Sequence, residues 1–86
     1  MNSEERVNRL INIGFGNVVN VDKVVAVIRP EAAPVKRMVQ SAKDMGSCVD
    51  ATCGRKCKAV IVTQTGQIIL SALLPDTIAG RVNQIE

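Results

Sequence analysis

The chain has 86 residues, 47% of them apolar and 22% charged. That is the size of one small domain, well short of the length at which chains divide into separate cores. One aromatic residue, Phe15, and no Trp, Tyr or His exclude histidine acid–base catalysis, histidine-ligated metal and an aromatic platform for single-stranded nucleic acid. Eleven Lys and Arg against eight Asp and Glu give a net charge of +3, which permits a polyanionic partner without demanding one.

Residues 1–8 read as a flexible polar arm. The charged opening MNSEERVNR is unlike a signal peptide, and no stretch reaches the ~18–20 apolar residues of a membrane span. With an odd count of three cysteines, the expectation is a cytoplasmic protein with reduced thiols. A strand-like run over 9–13 stops at Gly14-Phe15-Gly16-Asn17, where glycine and asparagine accept positive φ. Residues 18–21 are short and extended. Lys23 to Arg29, KVVAVIR, has five consecutive apolar residues and reads as a strand buried on both faces.

Pro30 and Pro34 bracket a helix start. From Pro34 to Asp44 the spacing of Val35, Met38, Val39, Ala42 and Met45 makes one apolar helical stripe, and Gly46 is its natural stop. Residues 47–51 form a further short strand. The polar segment 52–58 interrupts the apolar pattern. Runs 59–63 and 67–73, joined by a loop ending in Gly66, read as a hairpin. Pro75 opens a short helix carrying Ile78, Val82 and Ile85. The sum is a single α+β domain over residues 1–86. It has about five strands in a small, mainly antiparallel sheet, one central amphipathic helix and a short C-terminal one. Uncovered strand edges argue for a defined homo-oligomer.

Three segments could carry chemistry. Cys48, Cys53 and Cys57 lack a fourth ligand of zinc-site type, so no metal and no cofactor is expected. They read as small hydrophobes, or as redox-sensitive thiols if Arg55, Lys56 and Lys58 lower the pKa values of Cys53 and Cys57. Gly14-Phe15-Gly16 lacks the third glycine of a dinucleotide fingerprint and reads as a tight turn or bulge. Arg55, Lys56 and Lys58 follow Gly54 and place three cations within four positions. A charge cluster is commonly a solvated turn. A compact cationic tip on a rigid sheet can also meet a phosphate backbone, and an arginine can contact a guanine edge.

Three longer stretches bring a family into view: LINIGFGN at 10–17, Pro30-Glu31-x-Ala33-Pro34-x-Lys36-Arg37-Met38, and Asp50-Ala51-Thr52-x-Gly54-Arg55. Together they resemble the RemA family, the extracellular-matrix regulatory proteins of Bacillus and related Firmicutes, over about residues 10–82. The resemblance implies a LytTR-related fold and a DNA-binding activator of biofilm-matrix genes. It also implies assembly as an octameric ring that wraps double-stranded DNA. It places the family's functional arginine pair on Arg55 and Lys56, a further functional basic residue on Lys23, and an important proline on Pro34. Lysine at 56 and 23 keeps the charge and loses the planar bidentate fork. The resulting interface set is Arg55, Lys56, Lys58 and Lys23, with Pro34, Gly14, Gly16 and Gly54 shaping the fold or assembly. The alternatives are a structural assembly module and a thiol-based sensor. No nucleophile–base pair or paired carboxylate points to an enzyme.

Overall fold

A computed structural model describes residues 9–84; the expected arm over 1–8 and Ile85 lie outside the described residues. The elements are β1 (Leu10–Gly14), β2 (Asn17–Asn20), a 3₁₀ turn (Val21–Lys23), β3 (Val24–Ile28), α1 (Ala33–Asp44), β4 (Cys48–Asp50), β5 (Ala59–Thr63), β6 (Ile68–Ser71) and α2 (Pro75–Asn83). The fold is α+β, with six strands rather than about five. They divide into a two-stranded hairpin, β1-β2, and a four-stranded sheet in the order β3-β5-β6-β4.

Strand β5 is the axis of the molecule. Its Ala59, Val60 and Ile61 are completely buried, because successive side chains point to opposite faces and both faces are covered. On one face Ala59 and Ile61 pack with Ile11 and Ile13 of β1 and Ile78 of α2. On the other, Val60 packs with Ile68 and Leu70 of β6 and Ala42 of α1. The chain is therefore layered as α1, then the sheet, then the β1-β2 hairpin with α2.

The apolar run at 24–28 occupies a different place from the doubly buried strand its composition suggests. It forms β3, an edge of the sheet, and Val25 is 64% exposed. The register with β5 shifts between Val24 and Ala26. Val25 is the extra residue of a bulge, which turns it off the packed surface. The four-stranded sheet is also mixed: β3-β5 and β5-β6 are antiparallel, while β4 runs parallel to β6, with Cys48 beside Ile68 and Asp50 beside Leu70.

Helix α1 follows the expected stripe except at its end. Val35, Met38, Val39 and Ala42 pack on the sheet, whereas Met45 is 77% exposed. Met45 is the C-cap, and Gly46 takes φ +75°. Gly46 N–H donates to the Lys43 carbonyl at 3.2 Å and Ser47 N–H to the Ala42 carbonyl at 2.8 Å, the paired bonds of a Schellman stop. The chain turns away there, and Met45 leaves the stripe.

Candidate nucleic-acid interface

The connection from β4 to β5 crosses the end of β6, and both of its ends are fastened to that strand. Ala51 N–H donates to the Leu70 carbonyl at 2.9 Å, and Lys58 N–H to the Ser71 carbonyl at 2.9 Å. Between them, Arg55 N–H donates to the Thr52 carbonyl at 3.0 Å, closing a turn whose central residues, Cys53 and Gly54, have φ +54° and +78°. Two consecutive positive φ values are the demand of a type I′ turn. Glycine meets that demand freely and Cys53 meets it under strain.

The entrance is fixed by Asp50. One carboxylate oxygen accepts from the Thr52 N–H at 2.9 Å and from the Thr52 hydroxyl at 2.6 Å. These two bonds hold the Asp50 carboxyl below its ordinary pKa. Arg55, Lys56 and Lys58 are all exposed on this loop. Among the described residues none has a carboxylate partner; the ion pair there joins Arg9 to Asp22 at 3.0 Å.

The β1-β2 turn stands beside the loop. Gly14, Phe15 and Gly16 have φ of +113°, +55° and +79°, so the GFGN segment is a strained hairpin turn, and β2 rather than a helix follows it. Side chains tie the turn down. Asn12 Oδ1 accepts from the Gly14 N–H at 2.7 Å, and Asn17 Nδ2 donates to the Gly14 carbonyl at 3.1 Å. Arg81 of α2 donates to the Asn12 carbonyl at 2.8 Å. The Arg55 guanidinium carbon lies over the Phe15 ring, 5.5 Å from its centroid, within cation–π range. Turn and loop together enclose a cleft of about 270 Å³ lined by Phe15, Arg55, Lys56, Lys58, Ala72 and Leu73.

The structure thus brings Arg55, Lys56 and Lys58 together, with Gly54 in their turn and Gly14 and Gly16 in the neighbouring one. Lys23 sits elsewhere: its carbonyl accepts from Gln64 N–H at 2.9 Å, at the opposite end of β5. Four strand rises, about 13 Å, separate that end from the loop. Pro34 stands in the first turn of α1, where its fixed φ suits the helix start.

Cys57 takes a different form from the redox-sensitive reading. Cys57 packs among Val60 and Leu70, donates to the Ala59 carbonyl at 3.4 Å, and has its pKa raised, chiefly by burial. The neighbouring cations do not depress it. Burial likewise pushes Cys48 up.

The parts that four residues play in the site escaped the sequence reading. Phe15 meets Arg55 across 40 positions, with no local signal. Ser71 sits completely buried behind the site; its signal was a hydroxyl two positions after Ile69, on the parity that faces the core. Asp50 and Thr52 form a short side-chain-to-backbone turn that the D-x-T spacing could have revealed.

The RemA-like family model, described as extracellular matrix regulatory protein A-like, matches residues 10–82. A candidate regulatory protein of Lachnoclostridium phytofermentans is 80% identical over 80 residues, covering 93% of this chain and 88% of the relative. Similarly named proteins of Acetivibrio thermocellus and a Thermoanaerobacter species are 53% and 52% identical, covering 91% and 87% of this chain and 84% and 78% of the relatives. The chain belongs to the RemA-like family of regulatory proteins.

Proposed function

We propose that this protein is a non-enzymatic, cytoplasmic DNA-binding regulator that holds duplex DNA through the 54–58 loop and activates extracellular-matrix and biofilm genes. The observation that carries the reading is the set of three exposed cations on a loop fastened at both ends to the central sheet, without carboxylate partners among the described residues. Such a loop presents charge to phosphates with little ordering left to do on binding. The family membership supports a regulatory role. The LytTR relationship is part of the same proposal.

Homo-oligomerisation, as an octameric ring around which DNA wraps, completes the reading. Its support is apolar surface among the described residues: Leu10, Val25 and Val49 are exposed, and within those residues β3 and β4 are the two edge strands of the four-stranded sheet. Lys23, at the far end of β5, meets DNA at a point separate from the loop.

The test is binding of the full chain to a long duplex at several salt concentrations, beside a sedimentation measurement. Affinity that falls steeply with salt, from an oligomer, supports the proposal. Intact oligomers that ignore duplex DNA support the assembly-module alternative and refute it.

A further inference from the structure

We propose that Phe15 is a positioning residue: its ring holds the Arg55 guanidinium in the orientation that meets DNA. This rests on the DNA-binding reading and adds to it a residue outside the basic loop.

Phe15 is an uncharged residue in an unfavourable place. Its φ of +55° lies in the left-handed region, which side chains other than glycine, asparagine and aspartate seldom adopt. It stands between two glycines that take positive φ without strain. The ring is also 51% exposed, so burial returns only part of what the backbone conformation costs. What the ring does contact is the arginine of the cationic loop, at 5.5 Å.

The Arg55 guanidinium carbon lies over the ring, 5.5 Å from its centroid. A ring against one face of a guanidinium leaves the in-plane N–H donors open, and those donors make the fork that grips a phosphate or a guanine edge. Among the described residues, the Arg55 side chain has no hydrogen-bond acceptor. The ring itself is held on a stiff base. Gly14 is bonded on both sides by Asn12 and Asn17, and the Ile13 carbonyl is fixed by the Ser71 hydroxyl at 2.8 Å. The Arg55 loop is anchored at the Ser71 carbonyl. Ring and guanidinium therefore share one foundation, and holding the arginine in advance removes part of the ordering cost of binding.

The experiment compares the parent with Phe15→Leu, Phe15→Tyr and Phe15→Asn by fluorescence anisotropy on a short labelled duplex at fixed salt. Circular dichroism and sedimentation accompany each variant. Loss of an exposed cation–π contact should weaken binding by about two- to fivefold in Phe15→Leu, which keeps bulk without a π face. Phe15→Tyr should restore parental affinity. Phe15→Asn, whose side chain tolerates left-handed backbone, should fold as the parent does and show the same loss. In an Arg55→Ala background Phe15→Leu should cause no further loss. Parental affinity in Phe15→Leu, or an equal loss in the Arg55→Ala background, overturns the proposal. Ring-current shifts of the Arg55 side-chain protons report the contact without DNA. Shifts absent from the parent refute the positioning role alone. Shifts present in a parent that binds no duplex refute the DNA-binding reading, and the positioning role with it.

Discussion

The Ser71 hydroxyl donates to the Ile13 carbonyl at 2.8 Å from a completely buried position, and it joins the hairpin to the four-stranded sheet. The same oxygen accepts from the Leu73 N–H at 3.1 Å. Ser71→Ala leaves both groups without this partner. It should cost about 1–3 kcal/mol, the penalty of an unsatisfied buried polar group. Urea unfolding of parent and variant measures the difference. A change below about 0.5 kcal/mol, the usual range for surface substitutions, would mean that this hydrogen bond contributes little to holding the hairpin.

Arg55→Ala should leave stability within about 0.5 kcal/mol of the parent while weakening duplex affinity by about 1–3 kcal/mol. The slope of affinity against salt should fall by about one counterion. The sedimentation profile should match the parent. A monomeric variant would instead place the arginine in a subunit interface.

Pro34→Ser removes the fixed φ from the first turn of α1. The expected loss is about 0.5–1 kcal/mol, with a shift toward smaller species at low micromolar concentration. An unchanged sedimentation profile would separate this proline from assembly.

The thiols should react in a fixed order. Cys53 is exposed, whereas Cys48 and Cys57 are half-buried with raised pKa values. A raised pKa lowers the thiolate fraction near neutral pH, and thiolate is the reacting form. Iodoacetamide labelling of the folded chain, read by mass spectrometry, should modify Cys53 first. Prior labelling of Cys57 would show that its burial opens readily in solution.

Helix α1 was legible because its period, its prolines and Gly46 all state the same thing. The paired runs of β5 and β6 were legible from the loop ending in Gly66. The place of 24–28 was not: KVVAVIR and AVIVT are both strongly apolar, and the centre of the sheet is decided by which strand finds partners on both sides. The parallel β4-β6 pair was hidden for the same reason. The basic loop and the glycines could be read as a cluster and as turns, since charge and positive φ are local properties. The contact of Phe15 with Arg55, and the distance of Lys23 from the loop, depend on chain crossings that no local pattern records.

The fastening of the loop to Leu70 and Ser71 sets an order of events during biosynthesis. Residues 54–58 leave the ribosome before the strand that shapes them, because synthesis runs from the N-terminus. Until β6 has paired, the loop lacks the two bonds that fasten its ends, and its three cations lie on a looser basic stretch able to attract any polyanion in a salt-sensitive way. The anchored form of the loop arrives only with β6, so the newborn chain holds its charge before it holds the loop's conformation.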